Sequence, residues 1–449
     1  MENLGTLLAI AALSCAACGE VQQFADAGGD DTTIDASTAP DAAPDAVQQG
    51  SVSVTTLTRC CNDMPDQPKP GVDVFVTGPD GAPGDRGQSN AAGQLTLDVT
   101  AGDSVTGLYL MAPNGNELIT YMGVKPGDSF TFGEKFSTAQ GNPIGDFTVS
   151  WPNLGANINS YSIRYPCGGT GTGNTTLQAT FTEYDSCHVS PMDILFMAYD
   201  TNGTLVRWGL LNDVNFVAGG SAALGAWQSP GSIQLSVSGL PSVVTQVQIQ
   251  AQGMLNGGNS SFYASASGAP VNGGLSQTQP WTTGGDGIMA IALLGRNGNF
   301  GFQEFIKSLP ATSTTVSFAS PPLLPWLGQT VTNSASGQVD WIQDGELGPG
   351  DADATVFILS WNDGNTTHRW NVVAPPGIRE LRLPRLPAQL AQYAPPSGVN
   401  INVNGGILQL SADDGYDDFR ARPEWEATLN DEAILMSGSI GVSIFGGAN

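Results

Sequence analysis

The side chains of this chain that are best able to form covalent bonds are cysteines. Four of them lie beyond residue 50, at Cys60, Cys61, Cys167 and Cys187. Cys167 and Cys187 flank a segment rich in Gly and Thr, so the simplest pairing is a disulfide between them. Adjacent cysteines bond to each other only through a strained peptide unit, and cross-pairing of Cys60 and Cys61 with the other two stays open. A disulfide is favoured over a zinc site, because only two histidines are available as further ligands.

Those two histidines, His188 and His368, also limit catalysis. The sequence contains no Gly-x-Ser-x-Gly nucleophile motif and no His-Glu-x-x-His metal motif. His188 follows a cysteine directly, and His368 comes just after a predicted hairpin turn. We expect both to be ordinary surface or loop residues, and we predict no catalytic residues and no enzyme activity.

Two stretches, residues 344–353 and 413–418, are dense in carboxylates. Glycoside hydrolysis needs two carboxylates that face each other across a cleft. Carboxylates clustered in one loop do not provide that arrangement. Oxygen-rich loops bind hard cations such as Ca²⁺, but neither stretch has the spacing of an EF-hand loop. We expect solvated turns and no cofactor, with calcium as the alternative. The candidate calcium ligands are Asp413, Asp414, Asp417 and Asp418.

Nine tryptophans offer flat faces that can stack on sugar rings. Trp227 and Trp281 fall in loops rich in Gly, Pro and Thr, and they are the candidate glycan-binding residues. Four others fall on predicted strands, where core packing is more common, namely Trp151, Trp341, Trp361 and Trp370. Carbohydrate binding is therefore the alternative to a purely structural or adhesive function.

Strands must position these side chains. The 58 Gly and 29 Pro supply turns in quantity, and charged residues make up only 12% of the chain, which leaves little material for surface helices with paired charges. The formal net charge of −26 argues against nucleic-acid partners and against docking of a protein face on anionic lipid. The composition predicts an all-β protein of several domains, since 449 residues exceed one ordinary core.

The N-terminal residues have the pattern of an export signal. Residues 4–17 form an apolar stretch that is too short for a permanent membrane-spanning helix and is typical of a signal-peptide core. Small residues precede Cys15 and Cys18. This pattern resembles the lipobox of bacterial lipoproteins, in which a cysteine becomes the lipidated first residue of the mature chain. The resemblance implies a signal peptide at residues 1–18 and lipidation of Cys18, with Cys15 as the alternative.

Residues 19–50 separate this signal from the remainder of the chain. They are rich in Asp, Ala, Thr, Gly and Pro and contain no Lys or Arg. With little to bury and like charges along the segment, such a sequence stays extended and disordered. We predict an acidic tether that holds folded domains away from a membrane, to which the lipid is the only link.

Strand patterns divide the remainder into predicted β-sandwiches. Period-2 apolar spacing between turns marks strands at residues 72–76 and 94–99. Long hairpins turn at residues 202–203, 297–298 and 362–365, and the first two belong to a weak internal repeat. We predict tandem antiparallel sandwiches at residues 51–145, 146–237, 238–328 and 329–449.

The first of these segments is similar to a known module. The strand at residues 71–76, the Gly-Pro-Asp-Gly loop at residues 78–81 and the run at residues 89–97 resemble the carboxypeptidase regulatory-like, or transthyretin-like, β-sandwich. The resemblance implies a non-catalytic module that spaces or supports other domains. It does not imply peptidase activity, which would need a separate domain.

These features together predict one location and one kind of function. An exported bacterial lipoprotein is expected at the outer membrane or cell surface. Its tandem sandwiches would make structural or adhesive contacts, and the expected partner is a surface glycan or another protein. Nucleic acid is not expected as a partner.

Overall fold

The computed structural model describes residues 48–59, 67–110, 115–135, 142–185, 187–255, 260–298, 300–333, 337–348, 350–364, 366–410, 415–421 and 439–445. The predicted signal peptide, nearly all of the tether, Cys60, Cys61, Asp413 and Asp414 lie outside these ranges. The predictions for those residues stay predictions. Within the described ranges the protein is all-β, as the composition predicts, with strands in several sheets and one short α-helix.

The described residues up to position 135 form a first sandwich. Its strands are β1 (Gln49–Arg59), β2 (Gln67–Pro68), β3 (Asp73–Thr77), β4 (Pro83–Gln88), β5 (Gln94–Thr100), β6 (Ser104–Leu110), β7 (Asn116–Tyr121) and β8 (Ser129–Lys135). β1 pairs antiparallel with β5 and in parallel with β8, and the other four long strands follow the order β4-β3-β6-β7. Alternation decides the inner face, because Val52 and Val54 are buried while Ser51 and Ser53 are exposed.

The second sandwich carries the cysteines of the predicted disulfide. Its strands are β9 (Pro143–Ser150), β10 (Ser160–Tyr165), β11 (Gly168–Gly173), β12 (Gln178–Tyr184), β13 (Met192–Tyr199), β14 (Leu205–Val214) and β15 (Gly220–Ala223). The two sheets have the orders β12-β9-β15 and β11-β10-β13-β14. The predicted hairpin turn at residues 202–203 is confirmed between β13 and β14.

The third sandwich follows directly. Its strands are β16 (Gly231–Ser238), β17 (Val244–Leu255), β18 (Ser260–Gly268), β19 (Leu275–Trp281), β20 (Gly287–Arg296), β21 (Phe302–Pro310) and β22 (Thr315–Ala319). The predicted turn at residues 297–298 is confirmed between β20 and β21. β16 pairs with β19 and β22, which both follow it in the chain. The division that we predicted near residue 237 therefore falls inside a strand whose partners lie in the next segment.

One topology is shared by these three sandwiches, and it accounts for the internal repeat. Apart from the two-residue β2, the first strand of each lies between its fourth and seventh strands, and the order in the opposite sheet is third, second, fifth, sixth. The pairings are antiparallel except between the first and seventh strands, which run in parallel in all three. The sixth strands, β7, β14 and β21, thus end equivalent sheets.

The C-terminal segment has a different arrangement. Its strands are β23 (Trp326–Asn333), β24 (Gln338–Asp344), β25 (Ala354–Asp363), β26 (Thr366–Ala374), β27 (Glu380–Arg382), β28 (Asn402–Leu410) and β29 (Ser439–Phe445), with helix α1 (Tyr416–Ala421) before the last strand. The predicted hairpin at residues 362–365 is confirmed between β25 and β26. In the part of the chain that is described, no helix has the length and apolar character needed to cross a membrane.

Strands of the C-terminal segment join the first and third sandwiches into one sheet. β26 pairs in parallel with β7, and β29 pairs antiparallel with β21. The twelve strands follow the order β18-β17-β20-β21-β29-β28-β25-β26-β7-β6-β3-β4. Backbone hydrogen bonds therefore run without interruption through three of the four segments that we predicted as tandem domains.

The junction between β7 and β26 is buried and polar. All six residues of β7 are buried, so its polar side chains need partners inside the protein. The Trp370 Nε1–H donates to Thr120 Oγ1 at 2.8 Å, and the Thr120 and Thr106 hydroxyl oxygens lie 2.8 Å apart. The Asn371 side-chain amide donates to Glu117 Oε1 at 2.8 Å. Side chains 250 residues apart in sequence thus satisfy one another across the joint.

Replacement of Thr120 by Val tests the energetic weight of this joint. Thr120→Val keeps the shape but leaves the Trp370 N–H and the Thr106 hydroxyl buried without their partner, so we expect the free energy of unfolding to fall by about 1–3 kcal/mol. The matched control is Thr180→Val, which removes a similar Thr148–Thr180 pair (2.9 Å) on an exposed face. It should change stability by less than about 0.5 kcal/mol. If denaturant titrations show that both variants lose the same free energy of unfolding, the buried hydrogen bonds of Thr120 do not stabilise the joint.

Candidate functional site

The described side chains that are best able to react or to transfer protons lie together at one end of the second sandwich. Cys167 lies in the turn between β10 and β11, and Cys187 follows β12, so the two cysteines come from opposite sheets. They form the predicted disulfide, with Cα atoms 5.1 Å apart. Closing a loop over this separation of 20 residues restricts the unfolded chain and stabilises the fold by about 3 kcal/mol. We call this region, formed by Cys167, Cys187, Glu183 and His188, the disulfide corner.

A buried carboxyl group lies against the disulfide. Glu183 has no exposed surface, and its Oε2 atom is 3.1 Å from Cys167 Sγ and 3.4 Å from His188 Nδ1. Its Oε1 atom is also buried, and it has no hydrogen-bond partner among the residues that the structure describes. Burying a carboxylate in this way is costly unless the group is protonated.

The electrostatics of the disulfide corner favour the neutral forms of its acid and its base. Burial raises the pKa of Glu183 to about 7, although the Cys167 backbone N–H acts in the opposite direction. Burial also lowers the pKa of His188, whose ring meets Phe216 edge-on at 5.1 Å. Near neutral pH, an imidazole that prefers to be uncharged therefore faces a half-protonated carboxyl group.

The two candidate glycan-binding tryptophans do not form an exposed platform. Trp281 is only 3% exposed and packs on Phe262 at 4.9 Å in the core of the third sandwich, so its prediction as a sugar-stacking residue is wrong. Trp227 is half-buried, stacks on Tyr161 at 5.6 Å, and donates its Nε1–H to the Pro152 carbonyl at 2.8 Å. Both rings turn toward the protein because a large apolar ring is more stable in the core than in water.

The described members of the acidic stretch at residues 413–418 belong to α1 and its surroundings. Asp417 contacts Lys125 Nζ at 2.7 Å and Arg420 Nη2 at 2.9 Å. The hydrogen bond from Lys125 is the main reason why the pKa of Asp417 is lowered. Arg420 also bridges to Asp128 at 3.0 Å, so cations of the protein itself attach this helix to the first sandwich. Asp418 lies beside Asp417 on the same helix.

The other acidic stretch is divided among separate contacts. Asp344 pairs with Arg296 at 2.5 Å, and Glu346 pairs with Arg379 at 2.6 Å. Asp353 is buried and accepts the Leu410 backbone N–H at 2.6 Å. In the described ranges no three His, Cys, Asp or Glu side chains are grouped closely enough to hold a metal ion.

His368 lies at the junction of β7 and β26 rather than in a free loop. Its ring stacks on Trp361 at 5.4 Å, and its Nδ1 atom hydrogen-bonds to Asn116 Oδ1. Trp361 and Trp370 are buried in the core, as are Trp151 and most of Trp341, in agreement with the prediction for tryptophans on strands. His368 and His188 therefore belong to different parts of the molecule.

Comparison with known proteins gives only remote likenesses. No protein-family model matches the chain, and no curated protein matches it. Among solved structures, the TIE protein of Bacillus anthracis is 10% identical over 61% of this chain with a TM-score of 0.15, and this chain spans 50% of its length. The shaft pilin SpaA of Lactobacillus rhamnosus GG is 10% identical over 40% of this chain and 97% of its own, with a TM-score of 0.14. The major pilin subunit BcpA of Bacillus cereus is 9% identical over 61% and 99%, with a TM-score of 0.15. Scores this far below 0.5 mean that the backbones do not superpose, so nothing about this chain follows from these proteins.

Glu183 was not among the residues singled out from the sequence, although a signal for it exists. In β12 the inward positions are Ala179, Phe181 and Glu183, at the spacing of two that a strand imposes. A carboxylate at the third position of an otherwise apolar face breaks the pattern. Together with Cys187 four residues later, this break could have indicated the disulfide corner.

The raised pKa of Glu183 makes stability depend on pH. The folded protein retains this proton up to about pH 7, whereas the unfolded chain releases it near 4.5, so the folded state binds more protons between the two values. Stability therefore falls as pH rises through this window, by roughly 3 kcal/mol. Buried Glu304 on β21, with its pKa also raised to about 7, adds a similar fall.

Denaturant titrations at about pH 5 and about pH 8 check this expectation. Glu183→Gln and Glu304→Gln should each remove one part of the decrease seen in the wild-type protein, because an amide does not titrate. The double variant should lose most of it. A wild-type protein that is equally stable at both pH values would show that these carboxyl groups titrate normally.

Proposed function

We propose that this chain is a non-catalytic, lipid-anchored bacterial surface protein that presents a rigid set of β-sandwiches for structural or adhesive contacts. The observation that carries the proposal is the twelve-stranded sheet, in which strands of the C-terminal segment pair with both β7 and β21. Sandwiches linked only by flexible segments would move relative to one another. Sandwiches that share backbone hydrogen bonds keep a fixed arrangement.

The hydrophobic cores support the same view. One core combines residues of the first sandwich with Ile306, Val356, Leu408 and Ile440, which come from the third sandwich and the C-terminal segment. Leu195, Met197 and Trp208 of the second sandwich pack into the core of the third. A relative movement of the sandwiches would expose this apolar surface, at about 25 cal/mol for each Å². Such a body suits the transmission of force or the display of a surface.

Export and anchoring are supported by different features. A disulfide between Cys167 and Cys187 is favoured in an oxidising compartment outside the cytoplasm. The lipobox-like residues before Cys18 supply a lipid anchor, and the acidic tether supplies the distance from the membrane. In this proposal the first sandwich is a spacing module of the carboxypeptidase regulatory-like kind. The partner is a surface glycan or a protein, contacted through surfaces other than Trp281.

The anchor is tested with a Cys15→Ser/Cys18→Ser variant expressed in a bacterium from the full sequence. The wild-type protein should be in the membrane fraction and should be digested by protease added to intact cells. The variant should leave the membrane fraction, because neither cysteine of the lipobox-like segment remains to receive the lipid. A Cys60→Ser/Cys61→Ser variant is the matched control and should stay with the membrane.

Adhesion of the same cells tests the contact function. Cells that carry the wild-type protein should adhere to one another or to a glycan-coated surface more than cells that carry the Cys15→Ser/Cys18→Ser variant. A wild-type protein recovered from the cytosol with an intact, unmodified Met1 would contradict the proposal. If the wild-type protein is anchored normally but both cell types adhere equally, the anchor stands and the adhesive function is refuted.

A further inference from the structure

We propose that the Cys167–Cys187 disulfide is a thiol-exchange site, at which the Glu183 carboxyl group gives its proton to the Cys167 sulfur as that sulfur leaves. The reaction partner is a small molecule with a free thiol, because both cysteines are half-buried and a small thiol reaches them more easily than a protein does. The proposal goes beyond a structural function, since a disulfide that only joins two sheets needs no acid beside it.

The shared topology of the three sandwiches shows what is unusual about Glu183. It pairs with Gly145 near the start of β9. The residues opposite the equivalent glycines of β1 and β16 are Val99 and Trp281, and both are buried and apolar. The fold therefore accepts an apolar side chain at this place. A carboxyl group occupies it in the sandwich that has the disulfide.

The geometry assigns a direction to the exchange. Glu183 Oε2 is 3.1 Å from Cys167 Sγ, which is the sulfur that the acid can protonate. The Tyr184 backbone N–H donates to the same sulfur at 3.3 Å and would stabilise negative charge as it develops there. The buried Oε1 atom has no partner in the described ranges, so the carboxyl group is not held by a structural hydrogen bond on that side. Attack is then expected at Cys187.

The step balances without any further reactant. The thiolate of the incoming molecule attacks Cys187 Sγ, a new S–S bond forms, and the Cys167–Cys187 bond breaks. The electron pair of the broken bond stays on the Cys167 sulfur, which takes the proton of Glu183 and becomes a thiol. The products are a mixed disulfide on Cys187, the Cys167 thiol and the Glu183 carboxylate.

The surroundings keep the proton available. The titratable groups that interact with Glu183 are His188 and Tyr165, while Tyr184 and Arg164 act on Tyr165. Desolvation raises the pKa of Tyr165, with Glu183 as a further cause, and lowers the pKa of His188. Neither side chain therefore supplies a charge that would remove the proton from Glu183. Since burial raises the pKa of Glu183 to about 7, the acid form is present at and below neutral pH.

The test compares wild-type protein with Glu183→Val, the residue type that the first sandwich has at the equivalent place. The full chain is treated with glutathione over a range of pH. The rate constant for opening of the disulfide is expressed relative to the concentration of glutathione thiolate. At about pH 6 the wild-type constant should exceed that of Glu183→Val by about tenfold, and the ratio should approach one above about pH 8. The variant should be as stable as the wild-type protein or more so at neutral pH, because it buries no carboxyl group.

Glu304→Gln is the matched control, because it removes a buried carboxyl group from β21 in another sandwich and should leave the rate profile unchanged. Mass spectrometry of the quenched reaction should find glutathione on Cys187 and a free thiol on Cys167. Equal rate constants per thiolate for wild-type and Glu183→Val at every pH would overturn the proposal. Glutathione found mainly on Cys167 would also overturn it, because the leaving sulfur would then be the wrong one.

Discussion

The backbone hydrogen bonds at two sheet edges determine the shape of this protein. An exposed edge strand presents unpaired N–H and C=O groups and invites association with other chains. β7 and β21 hold equivalent positions in the first and third sandwiches, and both edges are covered by strands of the C-terminal segment. The edge of β14 in the second sandwich is protected differently, by a bridge between Trp208 and Gln228. The exposed edge of this repeated topology is thus covered in two ways. Only pairing with strands of the C-terminal segment joins sandwiches into one sheet.

This fusion determines which polar groups are buried. Once β26 lies beside β7, both faces of the joint are covered, and Thr120, Glu117 and Asn116 must find partners on the facing strand. A buried polar joint of this kind fixes the register more strictly than an apolar one, because a shift by one residue would leave several donors and acceptors unpaired. The disulfide corner lies in the second sandwich, whose sheets are separate from the twelve-stranded sheet.

Local signals in the sequence predicted the local structure well. The Asn-Gly turns at residues 202–203 and 297–298, the alternation in β3 and β5, and the disulfide between Cys167 and Cys187 all depend on residues close in sequence, and all were recognised. The pairing of β7 with β26 joins residues 250 positions apart, and no periodicity within either strand indicates its partner. Trp281 was misplaced for a similar reason, because loop composition does not reveal that a strand continues to that residue and turns it inward.

Native-state hydrogen exchange on the full chain tests the fused sheet most directly. If the sandwiches form one body, the amides of β7, β26, β21 and β29 will exchange only through the same large opening as the amides of β3 and β25, with the same dependence on denaturant. Exchange of β26 and β29 that is orders of magnitude faster than exchange of β3 would show that the joints open on their own. The proposal that the sandwiches form one rigid body would then be wrong.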